Sequence, residues 1–427
     1  MTKRVQVVLM LIVALAMMGL ASCGHYTCGA NFGNSTCAAG PLSLSGNGQG
    51  STAAAFVFVS NGTASPGGIV GYTLNTNAVP PTLEATANFT SPTTPGFDSG
   101  IGIAVAQKQF LYTAFGKNGG QIYGWTISTV GVLTPVANSP YSVPLLATGA
   151  TATFDIARMI TNPAGTLLFL GDEFGFQIFV YQIGAGGVLT AAGSPVLVPF
   201  SPGNMTTDGL GKYLYVTDTS AGNHTGSQIA AYSIGATGTL TAVAGSPFTG
   251  ASYAMWQVEG EPTGKYLIGT TGNSAAPGLG LSGIDDNHLY LFSINPSGAI
   301  APAVGSPFAT TYSPLSIAVQ SDAAGNLVDS FGYDALGTGF NPVESFALSS
   351  SGTVSVVNGS PFLNAAVGTE GKFDQSGGLL FVYGGIFNPT DNTVVYTVTG
   401  FEQSGTNLNT PTGIGTYGGY WVATDAP

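Results

Sequence analysis

Short apolar stretches of about five residues recur along most of the chain, and Gly, Pro, Asn or Ser residues bound each of them. Around Lys212, the segments 204–208, 213–217, 228–234 and 240–244 form such stretches in succession. Runs of this length between turn residues are typical of β-strands joined by hairpins. Beyond the N-terminal leader, no segment shows the helical period of apolar residues. The pattern therefore predicts an all-β protein.

Several units of the chain share the ending Gly/Asn-Ser-Pro followed by an apolar residue. The serines of this ending are Ser139, Ser194, Ser246, Ser306 and Ser360, which lie 55, 52, 60 and 54 residues apart. This period is too long for leucine-rich or helical repeats and suits a four-stranded β-propeller blade with long loops. Because the serines recur from unit to unit, we interpret them as architectural rather than nucleophilic.

The repeat unit occurs seven times. Second strands are expected at 56–60, 110–114, 167–171, 213–217, 266–270, 327–331 and 379–383. Third strands are expected at 69–74, 122–127, 178–183, 229–234, 289–294, 343–348 and 394–398. The first unit lacks a strand before Phe56, and the chain ends with an unassigned strand at 419–425. We therefore predict a seven-bladed β-propeller that the C-terminal strand closes, because closure leaves no long exposed edge.

Composition excludes several other classes of protein. Gly (64 residues) and Pro (25 residues) are more frequent than average, but the glycines lack the three-residue period of collagen. With 44% hydrophobic residues, 24 Phe and 18 Tyr, the chain cannot be a disordered protein. Charged residues make up 7% of the chain, too few for the exposed faces of a helical bundle.

The charge balance excludes nucleic-acid binding. The formal net charge is −12, from 20 acidic and 8 basic residues. Two of these bases, Lys3 and Arg4, lie in the N-terminal leader, so only Arg158 and five lysines remain in the rest of the chain. Binding to nucleic acid or to an anionic membrane surface requires clustered Lys and Arg, which this chain lacks.

Residues 1–22 have the pattern of a bacterial lipoprotein signal peptide. Lys3 and Arg4 precede a mostly apolar run at 5–20 that is short for a membrane span. The Leu-Ala-Ser-Cys sequence at 20–23 then resembles a lipobox, in which the cysteine carries the lipid. An ordinary secretory signal beside a cysteine is the alternative. We expect export and lipid anchoring through Cys23 in the bacterial cell envelope, at the periplasmic or outer-membrane face.

The two other cysteines, Cys28 and Cys37, lie close together in a stretch rich in Gly, Asn and Ser. In an oxidising compartment they can close a small loop as a disulfide, and a metal site with His25 is the alternative. Residues 23–51 have the composition of a flexible tether. The expected organisation is thus a leader (1–22), a lipidated tether (23–51) and a propeller (52–427) in a monomer.

One group of motifs carries a resemblance to a known family. The motifs are Gly-Lys-Tyr-Leu-Tyr-Val (211–216), Ile-Ala-Ala-Tyr-Ser-Ile (229–234), Gly-Thr-Leu-Thr (238–241) and Ala-Gly-Ser-Pro-Phe (244–248). Together they resemble the lactonase family of seven-bladed propellers, which includes 6-phosphogluconolactonase-like enzymes and many bacterial envelope proteins of unknown activity. The resemblance extends from about residue 53 to residue 425. It implies the propeller fold, and its motifs specify blades rather than a reaction.

Alternate loops of a propeller blade lie on opposite faces, which allows the charges to be sorted from the sequence. Lys108, Lys212 and Lys265 fall in equivalent first-to-second turns. The opposite face is expected to carry the acidic and His residues of the second-to-third loops, namely Asp172, Glu173, Asp218, His224, Asp285, Asp286 and His288. We interpret this acidic face as the better functional candidate, because its loop at 272–287 is long and Gly-rich.

Asp285 and Asp286 are the candidate metal ligands, since carboxylate oxygens of this kind suit Ca²⁺ or Mg²⁺. The run matches no spaced calcium motif, and an Asp-Asp-Asn turn without a metal is the alternative. No other cofactor is indicated by the sequence.

Arg158 stands out as the only arginine after the leader, and residues 154–159 are predicted to form an innermost strand. A charge beside the central channel needs a partner, which Asp155 could supply. The pair could lock two blades, or Arg158 could clamp an anion or a carbonyl group. A lactonase needs a base that activates water and a group that stabilises the oxyanion. His288 or His224 could be that base and Arg158 the stabilising group.

Two functions follow from these observations. The favoured hypothesis is an envelope lipoprotein whose propeller is a binding or scaffold module for a carbohydrate, lactone or protein ligand, because His and Arg are scarce. The alternative, which the family resemblance implies, is a lactone hydrolase similar to 6-phosphogluconolactonase.

Overall fold

A computed structural model describes much of the chain between residues 56 and 425. The described residues are 56–61, 68–75, 82–90, 101–115, 120–129, 131–143, 156–173, 175–218, 228–249, 255–271, 286–320, 327–333, 341–364, 367–373, 379–388, 393–404, 407–408, 414–416 and 422–425. The leader, the tether and the predictions for Cys23, Cys28 and Cys37 lie outside these residues and stay predictions. None of the helices within the described ranges is long and apolar enough to cross a membrane.

The described strands form seven antiparallel sheets, numbered here along the chain. Sheet 1 comprises β1 (Phe56–Asn61), β2 (Gly68–Asn75) and β3 (Thr82–Thr90), and sheet 2 comprises β4 (Ile101–Ala106), β5 (Phe110–Phe115), β6 (Gln121–Ile127), β7 (Leu133–Pro135) and β8 (Tyr141–Ser142). Sheet 3 comprises β9 (Ile156–Thr161), β10 (Leu167–Asp172), β11 (Gln177–Ile183), β12 (Leu189–Ala191) and β13 (Val196–Leu197). Sheet 4 comprises β14 (Pro202–Thr207), β15 (Tyr213–Asp218), β16 (Gln228–Ile234), β17 (Leu240–Ala242) and β18 (Phe248–Thr249). Sheet 5 comprises β19 (Gln257–Gly260), β20 (Tyr266–Thr270), β21 (His288–Ile294), β22 (Ile300–Pro302) and β23 (Phe308–Ala309). Sheet 6 comprises β24 (Ser313–Val319), β25 (Leu327–Tyr333), β26 (Asn341–Leu348), β27 (Val354–Val356) and β28 (Phe362–Asn364). Sheet 7 comprises β29 (Val367–Phe373), β30 (Leu379–Asn388), β31 (Thr393–Ser404), β32 (Asn407–Leu408) and β33 (Ile414–Thr416). The last strand, β34 (Val422–Asp425), joins sheet 1.

The predicted second and third strands are confirmed in all seven units, with ends that differ by a few residues. The predicted fourth strand differs, because in sheets 2 to 7 it is divided into two short strands that both pair with the third strand. In sheets 2 to 6 the Gly/Asn-Ser-Pro ending separates the two parts, since proline has no N–H to continue the ladder. Four of these Ser-Pro bonds are cis, those at Ser139, Ser246, Ser306 and Ser360.

The same four serines hydrogen-bond the strand beside them. Each hydroxyl oxygen accepts a hydrogen bond from a backbone N–H of the third strand, at 2.9–3.0 Å. In sheet 4 the donor is the fully buried Ala231. The hydroxyl thus takes the place of the carbonyl that the interrupted strand cannot offer. The interpretation of these serines as architectural is confirmed by these contacts.

Replacing Ser246 with Ala is expected to lower the free energy of unfolding by about 1–2 kcal/mol, because the buried N–H of Ala231 loses its acceptor. The matched control is Ser194→Ala in sheet 3, since Ser194 is exposed and its Oγ makes no such bond among the described residues. Urea denaturation of both variants measures the effect. Equal losses for the two serines would contradict the structural role given to Ser246.

The core lies between neighbouring sheets rather than in one central mass. Each described cluster of buried apolar residues combines one face of a sheet with the facing side of the next. Leu168 and Phe169, for example, are consecutive residues of β10 that pack in different clusters, toward sheet 2 and toward sheet 4. Alternation along the strand therefore lets each sheet bury both faces.

The innermost strands of successive sheets lie side by side, from β4 through β9, β14, β19 and β24 to β29. The C-terminal strand β34 contacts both β29 and β4. It also pairs with β1, from Phe56 opposite Asp425 to Val59 opposite Val422, which is the pairing that the repeat pattern predicts. Repeated antiparallel sheets that pack face to face with their first strands innermost have the architecture of a β-propeller.

Candidate functional site

A cavity of about 460 Å³ lies among the innermost strands. Residues of β4, β9, β14, β19, β24 and β29 line it, mainly near the ends of these strands. The first-to-second turns follow those ends, so the cavity opens toward the face that carries these turns. The size is in the range of small-molecule pockets.

Three charged side chains of the cavity interact with one another. Lys372 of β29 places its Nζ 2.7 Å from Oε1 of Glu259 of β19. Arg158 of β9 also lines the cavity, is 6% exposed, and acts on Glu259 through its positive charge. The cluster therefore brings together side chains of sheets 3, 5 and 7, and a fourth charged residue, Asp208, also lines the cavity.

The Lys372–Glu259 pair spans sheet 6, which lies between the sheets of its two partners. In the strand register, Glu259 lies opposite Ile268, and Lys372 lies opposite Phe381. Ile268 and Phe381 are the third residues of β20 and β30, which are the second strands of sheets 5 and 7. The equivalent residue of sheet 6 is Ala318, which lies opposite Asp329. The small side chain of Ala318 leaves space at the cavity for the two longer side chains to meet.

Gln257 holds the carboxylate of Glu259 in place. Its Nε2 donates to Oε1 of Glu259 at 3.0 Å and to the backbone oxygen of Ile317 at 3.1 Å. Its Oε1 accepts from the N–H of Ile317 at 2.9 Å. These contacts tie β19 to β24, and they fix the orientation of the Glu259 side chain.

Glu259 is ionised at neutral pH. Burial acts to raise its pKa, but the positive charges of Lys372 and Arg158 and the hydrogen bonds from Lys372 and Gln257 outweigh burial. The net result is a pKa below the ordinary value of a glutamate. The cavity thus contains a carboxylate held between two cations.

Arg158 lies where the sequence predicts it, on an innermost strand beside the channel, although β9 begins two residues later than expected. Its proposed partner Asp155 lies outside the described residues, so that ion pair stays a prediction. The positive charge of Arg158 acts on Glu259, which was not predicted from the sequence.

His288 belongs to a different part of the molecule. It begins β21 and does not line the cavity, so the structure does not bring it together with Arg158. Its Nδ1 lies 2.8 Å from Oδ1 of Asp286, and its side chain is 42% exposed. Oδ2 of Asp286 accepts hydrogen bonds from Thr271 at 2.8 Å and Tyr290 at 2.9 Å. His224 lies outside the described residues.

Both oxygens of Asp286 therefore have protein partners. Asp285 is outside the described residues, so the Ca²⁺ or Mg²⁺ site stays a prediction. Within the described part of the chain, no group of three or more His, Cys, Asp and Glu side chains could hold a metal ion.

The turns at the cavity end carry the lysines that the sequence assigned to them. Lys108, Lys212 and Lys265 are exposed there, as expected for solubilising charges. A polar side chain caps each of several turns: Asp208 accepts from the N–H of Lys212 and Tyr213, and Glu261 caps the next turn in the same way. The described cavity lies on this face and not on the acidic face that the sequence analysis favoured.

Glu259, Lys372 and Gln257 were not predicted from the sequence. Their strands are weakly apolar, so the hydrophobic pattern alone does not reveal them. Counting back from the second strands would have located them, because Glu259 and Lys372 occupy equivalent places before Tyr266 and Leu379.

No protein-family model matches the chain. A 6-phosphogluconolactonase of Erwinia tasmaniensis is 32% identical over 111 residues, which is 26% of this chain and 29% of that enzyme. The chain thus matches less than a third of the length of this curated relative.

Solved structures match over much more of the chain. A candidate 6-phosphogluconolactonase of Bacteroides uniformis has a TM-score of 0.59 at 14% identity, over 85% of this chain and 99% of the other. The periplasmic gluconolactonase of Pseudomonas aeruginosa has a TM-score of 0.50 at 19% identity, over 73% and 85% of the two chains. The chain has the lactonase-like β-propeller fold. At these identities the structural similarity concerns the fold and not the reaction.

Proposed function

We propose that this chain is a lactone hydrolase, similar in activity to 6-phosphogluconolactonase, on a seven-bladed propeller that β34 closes. Seven sheets among the described residues and the position of β34 beside β29, β4 and β1 support the closed seven-bladed arrangement. The partial match to a 6-phosphogluconolactonase supports the reaction class. The sequence alone favoured a binding or scaffold module, and the cavity and the comparisons favour the enzyme instead.

The observation that carries the proposal is the cluster of Arg158, Glu259 and Lys372 in the cavity. Hydrolysis of a lactone needs a proton acceptor for the attacking water and positive groups for the oxyanion. Glu259 is ionised and can accept the proton, while Arg158 and Lys372 supply the positive charge. The cavity volume accommodates a sugar lactone.

In the proposed reaction, the water oxygen attacks the lactone carbonyl carbon while Glu259 takes a proton from the water. The carbonyl oxygen becomes negative and is stabilised by the guanidinium of Arg158 and the ammonium of Lys372. The ring C–O bond then breaks, and the proton is returned to the departing alkoxide, giving an open-chain hydroxy acid.

Hydrolysis of a panel of phosphorylated and unphosphorylated sugar lactones tests this proposal. We expect the protein to hydrolyse at least one of them above the buffer rate, and Arg158→Lys to lower kcat/KM about a hundredfold, because a lysine cannot reproduce the paired donors of arginine. Lys265→Arg is the matched control on an exposed turn of the same face and should leave kcat/KM unchanged.

A thermal melt of each variant separates chemistry from folding. If Arg158→Lys lowers the melting temperature but leaves the rate per folded molecule intact, Arg158 is only a structural ion-pair partner. Failure of the unmutated protein to hydrolyse any lactone of the panel would contradict the proposed activity.

A further inference from the structure

Sheet 6 departs from the other sheets at one buried position. The third residue of the second strand is a large apolar or aromatic residue in six sheets: Phe58, Tyr112, Phe169, Tyr215, Ile268 and Phe381. All of these are at most 2% exposed. In sheet 6 the position is Asp329, which is 0% exposed. A carboxyl group therefore occupies a place that is otherwise filled by an apolar side chain.

The tyrosines at this position show how a polar group can be accommodated there. The hydroxyls of Tyr112 and Tyr215 donate to the backbone oxygens of Gly187 and Gly298, in turns of the next sheets, at 2.7 and 3.0 Å. Asp329 is too short for such a contact. Its Oδ1 accepts a hydrogen bond from the Ser345 hydroxyl, and its Oδ2 is buried with no hydrogen-bond partner among the described residues.

Asp329 faces sheet 7. It lies directly opposite Ala318 on one side and Ser345 on the other, so the three residues share one face of sheet 6. Ala318 packs in the same apolar cluster as residues of sheet 7, namely Phe373, Leu380, Val382 and Phe401. Ser316, two residues before Ala318 on the same strand, likewise has a buried hydroxyl without a partner among the described residues.

No described charged group on the facing elements compensates Asp329. Strands β24 and β30 contain no charged residue. On β26, Glu344 lies opposite Ser330 rather than Asp329, and its carboxylate accepts from the N–H groups of Thr311 and Tyr312. On sheet 7, Glu370 lies opposite Tyr383 and Glu402 lies opposite Leu379 in the strand register, and the ammonium of Lys372 pairs with Glu259.

Burial raises the pKa of Asp329 to about 7, against the opposing effect of the Ser345 hydrogen bond. An ordinary aspartate in an unfolded chain has a pKa of about 3.9. The side chain is thus neutral in the folded protein over a range of pH in which it is charged in the unfolded one.

We propose that Asp329 is a proton-binding site that controls the packing of sheet 6 on sheet 7. The neutral acid fits the apolar interface, whereas ionisation places an uncompensated charge there and loosens it. Ala318 and Phe373 belong to this interface and also line the cavity, so the same proton influences the wall of the cavity. The proposal is independent of whether the cavity hydrolyses lactones.

The sign of the effect follows from the two pKa values. Below pH 3.9 the carboxyl is protonated in both states, and its contribution to stability is fully present. As pH rises toward 7, only the unfolded state loses the proton, so stability falls. Because the pKa of Asp329 differs between the folded and unfolded states, its ionisation raises the unfolding equilibrium constant roughly a hundredfold between pH 5 and 8.

The experiment measures urea denaturation of the protein and of Asp329→Asn at several pH values from 5 to 8. The unfolding equilibrium constant of the unmutated protein, relative to that of Asp329→Asn, should rise about a hundredfold over this range. Equal pH dependence of the two proteins would overturn the proposal.

Ser345→Ala provides a second, directional measurement. Loss of the hydrogen bond that favours the carboxylate should raise the pKa of Asp329 and move the stability loss to higher pH. If Asp329→Asn does not fold, infrared spectroscopy of the unmutated protein with isotope-labelled aspartate decides the matter. A buried protonated carboxyl band that disappears near pH 7 supports the proposal, and its absence at pH 5 overturns it.

Discussion

Removal of residues 419–427 will leave a chain that unfolds or aggregates. Strand β34 pairs with β1 over Val422–Asp425 and contacts β29 and β4, so it joins the first and last parts of the repeat array. Its loss leaves the edge of β1 unpaired, and unpaired edges are templates for aggregation. It also uncovers apolar residues of β1, of which Val57 and Phe58 are 0% exposed.

The expected loss is large compared with the stability of a domain. Burying one such side chain contributes about 1.5–3 kcal/mol, and a native protein is stable by about 5–15 kcal/mol in total. Circular dichroism melts and size-exclusion chromatography measure the outcome. Removal of 426–427 alone is the matched control, since it leaves β34 complete and should change neither measurement. A chain without 419–427 that melts like the full protein would show that the sheets are joined in another way.

Glu259→Gln is expected to lower kcat for lactone hydrolysis by about 10²–10⁴-fold, the usual contribution of a general base. The amide retains the shape of the carboxylate and can still accept from Lys372 and Gln257, but it cannot take a proton from water. In the unmutated enzyme, the pKa of Glu259 lies below the ordinary range, so activity should persist as pH falls until the carboxylate is protonated.

Glu261→Gln is the matched control for this variant, only two residues away. Glu261 is buried and caps a turn by accepting from the N–H groups of Thr263 and Tyr266. It does not line the cavity, so its substitution should lower the melting temperature but leave kcat of the folded protein unchanged. If both glutamines lower kcat equally, the effect comes from folding and Glu259 is not the base.

The strands could be predicted from the sequence because each is short, apolar and bounded by turn residues. Gln228–Ile234, for instance, is found within one residue of its predicted bounds. The division of the fourth strand was not predicted, because its second part is only two or three residues long in sheets 2 to 6 and follows a proline that normally ends a strand. Asp329 was also missed, because its strand has the length and apolar flanks of an ordinary second strand.

The candidate site could be predicted only in part. Arg158 was found because it is the only arginine after the leader, and a guanidinium on an innermost strand is conspicuous in the sequence. Its partners were missed because Lys372 and Glu259 are separated by 113 residues and meet across an intervening sheet. His288 was selected for its chemistry, but its place at the start of β21 keeps it out of the cavity.

The most direct test of the account is a crystal structure of the protein with the hydroxy-acid product of its preferred lactone. We expect the product in the cavity, with its carboxylate bound to Arg158 and Lys372. Glu259 should lie within hydrogen-bond distance of the carboxylate oxygens of the product or of a water molecule beside them. Product bound instead beside His288 and the acidic loops, with the cavity unoccupied, would contradict the assignment of the cavity as the site of hydrolysis.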